Sequence, residues 1–191
     1  MGNVFFEMTM SLDGFITRPN VDIHQPFGDD GDSLHDWMFS EPTPMDRQIA
    51  AEMNEKTGAF VMGRRMFDFG EEPWGDDTFV KPCFVLTNRP KAKLVKGAAT
   101  FTFITNGIHS ALEQARQTAG EQDICIVGGA DVGQQYLRAG LVDELRLHVA
   151  PVLFGAGTRL FENIGTDKVK LEKIQTRETP NAMHLVYRIS K

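Results

Sequence analysis

The sequence predicts an α/β domain: a mainly parallel, twisted sheet with helices on both faces, extended at its C-terminal end by antiparallel strands. Three observations lead there. Short apolar runs alternate with helix-like stretches along almost the whole chain. Several runs, at 59–63, 82–87 and 123–127, are apolar nearly throughout, the pattern of strands buried on both faces. The last two runs, 169–176 and 183–190, alternate apolar and polar residues, which suits an antiparallel pair with one wet face.

The elements follow in order. Residues 4–11 form a β-prone run, and Asp13-Gly14 supplies a turn signal. Residues 17–44 are rich in Pro, Gly, Asp and Asn and form the longest irregular stretch, with a short helix at 33–39. Thr43 then caps a helix whose first turn takes Pro44 and whose body carries Ile49, Met53 and Lys56. The strand at 59–63 turns into a short helix at 64–69, and the strand at 82–87 is closed by Asn88-Arg89-Pro90. A strand at 100–105 precedes an amphipathic helix at 108–118, ended by Gly120. The strand at 123–127 runs into Gly128-Gly129, a helix occupies 131–139, and Gly140 stops it. A strand at 144–152 leads to the tight turn Phe154-Gly155-Ala156-Gly157. Parallel strands so connected take right-handed crossovers, and ligands bind beyond their carboxyl ends.

Composition narrows the class. At a soft prior of roughly 150 residues per domain, 191 residues predict a single domain over 1–191. Apolar residues at 41% and charged residues at 24% indicate a globular chain. Twenty basic against 26 acidic residues leave a net charge of −6, without the basic stripe of a nucleic-acid binder, so a small molecule is the expected partner. No run approaches the roughly 20 apolar residues of a membrane span, and the first residues lack a basic-then-apolar leader, so a cytoplasmic protein off the membrane is expected. Cys83 and Cys125 read as core thiols in a reducing compartment. The five histidines lack metal-ligand spacing, and no metal is expected.

Three strand ends carry the residues of a phosphate site. Gly63-Arg64-Arg65 follows a buried strand and opens a helix, where free N–H groups and guanidinium forks suit an anion. Thr87-Asn88-Arg89 also follows a strand, and an arginine among hydroxyl and amide neighbours suits a ribose 2′-phosphate, favouring NADP over NAD. In Val127-Gly128-Gly129-Ala130-Asp131-Val132-Gly133, strand, two glycines and helix give the recipe for a pyrophosphate, although the spacing is not Gly-x-Gly-x-x-Gly and no Walker lysine follows. Asp13 has two readings: a carboxylate bonding its own turn, or a pocket group that orients substrate or relays a proton. Asp36 is either a solvated helix residue or an acid at the substrate, and Trp37 either a core anchor or a platform for a flat ring.

The blocks Met10-Ser11-Leu12-Asp13-Gly14-Phe15-Ile16, Val61-Met62-Gly63-Arg64-Arg65-Met66-Phe67, Val85-Leu86-Thr87-Asn88-Arg89 and Ile126-Val127-Gly128-Gly129-Ala130 occur in that order. Leu141-Val142-Asp143-Glu144-Leu145 and Pro151-Val152-Leu153-Phe154-Gly155-Ala156-Gly157-Thr158-Arg159-Leu160-Phe161 complete the set. Together they resemble the dihydrofolate reductase-like superfamily, in the branch holding the reductase (RibD C-terminal) domain of riboflavin biosynthesis. The resemblance implies a dihydrofolate reductase-like three-layer α/β/α fold, NADPH as hydride donor and a homodimer. It implies that Gly63, Arg64 and Arg65 meet the cofactor phosphates, that Thr87, Asn88 and Arg89 meet the 2′-phosphate, and that Gly128, Gly129, Ala130, Asp131, Val132 and Gly133 hold the pyrophosphate. Ser11, Leu12 and Asp13 would border nicotinamide and substrate, with Leu153, Phe154 and Gly155 opposite, and Asp36 and Trp37 on the substrate side. Phe15 stands where that branch often has a lysine, and only Arg18 and Arg47 lie near the long loop as cations for a phosphorylated substrate.

Overall fold

The computed structural model describes residues 2–190. Its strands are β1 (Val4–Ser11), β2 (Phe15–Thr17), β3 (Thr57–Gly63), β4 (Cys83–Leu86), β5 (Leu94–Lys96), β6 (Ala99–Ile104), β7 (Asp123–Val127), β8 (Glu144–Ala150), β9 (Thr158–Arg159), β10 (Lys170–Glu178) and β11 (Met183–Ser190). Its helices are α1 (Asp36–Phe39), α2 (Pro44–Lys56), α3 (Arg64–Gly70), α4 (Gly107–Ala119) and α5 (Ala130–Arg138). A 3-10 turn at Asp32–His35 leads into α1.

Nine strands form one sheet in the order β10-β11-β8-β1-β7-β3-β4-β6-β5. The six from β8 to β6 are mutually parallel, and β11 and β10 extend that sheet antiparallel, as the alternating C-terminal runs predict. The sequence reading missed two small features. Strand β5 adds an antiparallel edge beside β6, and β2 pairs with β9 in a separate two-stranded sheet that ties the first loop to the turn after β8. Both are three residues or shorter, too brief to show periodicity.

Alternation along the central strands builds two cores. On one face Val4, Phe6, Ala59, Val61, Ile124 and Ile126 pack beneath α4 and α5. On the other, Phe5, Phe60, Met62, Cys83, Val85 and Cys125 pack against Phe67 of α3. Both cysteines are free and buried, and burial pushes both thiols up, so they are inert core groups. Helix α2 begins as Thr43 and Pro44 predict: Asp46 N–H donates to the Thr43 hydroxyl at 3.2 Å, and Thr43 N–H donates back to the Asp46 carboxylate at 2.8 Å.

Gly133 lies one turn into α5, buried, where an added Cβ would drive into the Phe6 ring of β1. Nothing lies within 4 Å of a Cβ on Gly129, whose backbone is extended. Gly133→Ala is therefore expected to destabilise by about 1–3 kcal/mol through overpacking. Gly129→Ala should stay within about 0.5 kcal/mol of wild type. Urea unfolding of the two variants side by side checks the pair, and equal losses would refute the packing assignment.

Candidate functional site

Parallel pairing brings the carboxyl ends of β8, β1, β7, β3 and β4 to one edge in that order, so the three predicted phosphate segments and the Asp13 turn share it. Strand β3 passes into α3 without a break. The Gly63 N–H donates to the Gly128 carbonyl at 3.2 Å, clasping the ends of β3 and β7. A side chain at 63 would press on Val132 at 3.0 Å, which explains glycine there.

Arg64 is anchored. Its Nε donates to Asp68 at 2.6 Å, and its Nη1 reaches the Arg89 carbonyl at 3.2 Å and the Thr87 hydroxyl at 3.4 Å. Arg89 Nη2 donates to the other oxygen of Asp68 at 3.0 Å, and Arg89 N–H donates to the Thr87 hydroxyl at 3.0 Å. One carboxylate thus holds two guanidinium groups from neighbouring strand ends. Arg89 remains 73% exposed at its side chain, and Arg65 and Asn88 are exposed beside it. Asp68 was not anticipated from sequence. Its position four residues after Arg64 on a helix was the available signal.

At the end of β7, Gly128 has φ +60°, and a Cβ there would strike Met66. No side chain caps α5, so its first turn presents N–H groups to the edge. Asp131 is exposed and accepts from Gln135 at 2.7 Å. Along this segment the side chain of Asp131 is exposed, while Gly128, Ala130, Val132 and Gly133 are buried and seat the start of α5 on the sheet.

Ser11, at the end of β1, is buried. Its hydroxyl accepts from Phe15 N–H at 2.9 Å and donates to Asp13 at 2.6 Å. Asp13 accepts from the N–H groups of Phe154 and Gly155 at 3.0 and 2.7 Å, joining the two turns the sequence reading set on opposite sides of the pocket. The Ser11 hydroxyl and the Phe154 N–H bring its pKa down to about 2 against desolvation, with Gly155 adding a lesser share. Asp13 is thus ionised at neutral pH, and its carboxylate bonds mainly across to residues 154 and 155 and to Ser11 rather than to its own turn backbone. Leu12 and Leu153 are 67% and 71% exposed, while Phe154 is buried with Phe15, Leu34 and Ala150.

One predicted substrate residue is turned into the core. Trp37 is 1% exposed, its indole donates to the Thr9 hydroxyl at 3.2 Å, and its ring lies against His148 and His184. It is a core anchor and no platform for a ligand. Asp36 is half-buried and accepts from Ser40, the residue after its short helix, at 2.9 Å. Two cations join the Asp13 turn. The Arg18 guanidinium lies 5.8 Å from the Phe154 ring centroid, and that of Arg159 lies 4.4 Å from the Phe15 centroid. Arg159 is brought there by the β2–β9 pairing, which is why sequence distance hid it. Among the described residues no group of three or more His, Cys, Asp or Glu side chains is placed to hold a metal, and no helix is long and apolar enough to cross a membrane.

Comparisons with known proteins bear on the family and the fold. The model of the RibD C-terminal domain family matches residues 3–185. The Bacillus subtilis protein YyaP, itself uncharacterised, is 24% identical over 197 residues, taking in 96% of this chain and 93% of that one. A Shewanella sp. PV-4 structure, provisionally described as a riboflavin biosynthesis protein, matches with a TM-score of 0.71 at 24% identity over all of both chains. Dihydrofolate reductase from Enterococcus faecalis, in complex with NADP(H), matches with a TM-score of 0.64 at 19% identity, covering 100% of this chain and 98% of that one. The structural likenesses establish a dihydrofolate reductase-like fold.

The clasp made by Asp13 is charge-dependent, and its sign is fixed by a folded pKa below the ordinary 3.8. Its stabilisation is present above pH 3.8 and is lost as pH falls toward about 2. Asp13→Asn should therefore be less stable than wild type by a margin that is constant above about pH 5 and shrinks below about pH 4. Urea midpoints across that range test this, and a margin that widens toward acid would contradict it.

Proposed function

Because the chain belongs to the RibD C-terminal domain family, we propose that it is an NADPH-dependent reductase delivering a hydride to a small flat heterocycle, pterin-like or pyrimidine-like, or to a related carbonyl compound. The observation that carries this reading is the Arg64–Asp68–Arg89 cluster beside the Gly128–Gly129 turn, on the same edge as Ser11–Asp13. The donor chemistry fits a dinucleotide: guanidinium groups and a threonine hydroxyl at the ends of β3 and β4, and an uncapped helix start after β7. Arg89, Thr87 and Asn88 would hold the 2′-phosphate, Arg64 and Arg65 the phosphates nearby, and Gly128, Gly129 and Asp131 the pyrophosphate turn. When bound, NADPH supplies the hydride. The chain supplies orientation: Asp13 fixes the Leu12 and Leu153 turns, whose exposed side chains offer an apolar wall to a ring.

Arg18 and Arg159 favour a second reading, in which the substrate carries an anionic group. The phosphorylated pyrimidine reduced in riboflavin biosynthesis, 5-amino-6-(5-phosphoribosylamino)uracil, is of that kind. Both arginines lean on aromatic rings of the Asp13 turn region, and the Arg18 Nε is buried without a hydrogen-bond partner among the described residues. A neutral substrate would be indifferent to Arg159→Ala, whereas an anionic one should lose about 10–100-fold in kcat/KM, the worth of a hydrogen bond to a charged group at roughly 1.5–3 kcal/mol.

Thermal unfolding with NADPH, NADH or neither tests the main reading. NADPH at about 100 times its Kd stabilises by roughly 2.7 kcal/mol. For a domain of this size that is a rise of about 5–10 °C, at roughly 2–4 °C per kcal/mol. Arg89→Ala should weaken NADPH about 10–100-fold and leave NADH little changed. Equal loss for both would remove Arg89 from the 2′-phosphate, and no rise with either nucleotide would defeat the reductase reading. Binding without hydride loss on any tested heterocycle would indicate a non-catalytic nucleotide-binding module.

A further inference from the structure

Helix α2 lies over the β8–β11–β10 part of the sheet, and the space beneath it is not filled. Of its 13 residues the helix buries only Asp46 and Ile49. A cavity of about 340 Å³ remains, walled by Ile49 and Met53 of α2, Ile174 of β10 and Val186 of β11. Its other end reaches Asn3, Asp123 and Glu144, at the amino ends of β1, β7 and β8. The proposed cofactor edge lies at the carboxyl ends, so the two do not overlap. The volume falls at the small end of the roughly 300–1,000 Å³ usual for small-molecule sites.

The charged groups along the walls are engaged with one another. Arg177 holds Glu52 through both Nη atoms, at 3.1 and 2.6 Å. Arg146 donates to Glu144 at 2.8 Å, lies 3.9 Å from Asp123, and sits 3.6 Å from the centroid of the Phe5 ring. Glu7 and His148 also line the cavity and are its buried members. Glu7 Oε1 lies 3.0 Å from His148 Nε2, and His148 is joined through His184 to Asp46, at 2.8 and 3.0 Å. The other Glu7 oxygen, Oε2, is buried with no hydrogen-bond partner among the described residues, and Glu7 is only 6% exposed. Either protonation form of a carboxyl group can accept a hydrogen bond there. Both arginines are committed elsewhere, and Lys56 and Gln175 stand exposed at the rim. An unmet buried acceptor costs stability, which a bound donor recovers.

We propose that this cavity is a ligand site separate from the reductase cleft, taking a small alkylammonium or alkylguanidinium ion whose N–H groups donate to Glu7 Oε2 and whose alkyl body lies among Ile49, Met53, Ile174 and Val186. Heads of this class carry donors and no acceptor, so they set no lone pair against the carboxyl oxygen. A carboxylate or phosphate ligand is disfavoured by the same logic. It would face Glu52, Asp123 and Glu144, whose arginines are already bonded. The apolar walls select for a tail in place of a bare ammonium ion, because they gain only from a group that leaves water.

Methyl NMR of the full chain, titrated with n-propylammonium at neutral pH, tests this. Saturable shifts are expected at Ile49, Met53, Ile174 and Val186, with a Kd on the order of 10 mM for so few ligand atoms. The trimethylpropylammonium ion has the same charge and tail but no N–H, and should bind about tenfold more weakly or worse. Glu7→Met removes the acceptor at similar length and should weaken propylammonium about tenfold or more. Gln175→Phe, at an exposed position on the edge strand β10, crowds the mouth without touching the core and should abolish the shifts. If Glu7→Met does not fold, the two ions on wild type and the Gln175→Phe variant decide. No saturable shift, equal binding of the quaternary ion, or full binding to Gln175→Phe would overturn the proposal. Shifts at Leu12 and Leu153 instead would place the amine in the reductase cleft and overturn it as well. None of these outcomes depends on whether NADPH binds.

Discussion

Strand β1 is bonded to β7 on one side and β8 on the other, parallel to both, and much of the molecule follows from that. Parallel neighbours need crossovers long enough to carry helices. The crossovers put α4 and α5 against one face and leave the ends of β8, β1, β7, β3 and β4 on a common edge. Residues more than a hundred positions apart, such as Asp13 and Phe154, meet there because their strands pair in register from Phe5↔Glu144 to Ser11↔Ala150. The site is a product of the pairing and needs no long-range chemistry of its own to assemble.

The same strand divides its side chains between two environments. Phe6 meets α5 so closely that position 133 must be glycine, whereas Glu7, Thr9 and Ser11 point to the opposite face. On that face polar groups are buried in sequence along the strand, and each is bonded: Glu7 to His148, Thr9 to Trp37, Ser11 to Asp13 and Phe15. A buried polar row of this kind is tolerable only when nearly every member finds a partner. The partners come from β8, α1 and the first loop, so the row fixes how the long loop after β2 lies on the sheet. Trp37 belongs to this row, which is the reason it is buried and unable to meet a ligand.

Much of the fold was legible because its signals are local. The runs at β7 and β11 were read to the residue, and Thr43 with Pro44 marked the start of α2, since apolar runs and caps act within a few residues. That the glycine and arginine segments directly follow strands was legible for the same reason, and the parallel pairing sets them on one edge. What escaped was set by tertiary pairing. Asp68 and Arg159 gain meaning only once β3 lies beside β4 and β2 beside β9. The Glu7–His148–His184–Asp46 chain draws on four elements spread over most of the sequence, and no spacing rule could show it. Asp13 shows the same limit: two of the three donors that bond its carboxylate come from residues 154 and 155, which only the pairing of β1 with β8 brings near.

Asp68 sets how the proposed cofactor edge would work. A carboxylate between two arginines would be a poor neighbour for phosphate if all three competed for it. Yet Arg64, only 20% exposed at its side chain, is bonded through Nε, with Nη1 turned to Thr87 and the Arg89 carbonyl, while Arg89 is bonded through a single Nη2. The first pair is within one helix at 2.6 Å and is partly shielded from water, so it persists. The second is with a largely exposed side chain and is worth little on its own. Asp68 therefore fixes Arg64 as part of the scaffold and holds Arg89 loosely near where an anion would arrive. Part of the ordering entropy of that long side chain is then spent before any ligand binds. The weak pair is the one an incoming phosphate could displace at small cost, so in the proposed reading Arg89, rather than Arg64, would be the residue that tells a phosphorylated ribose from a plain one.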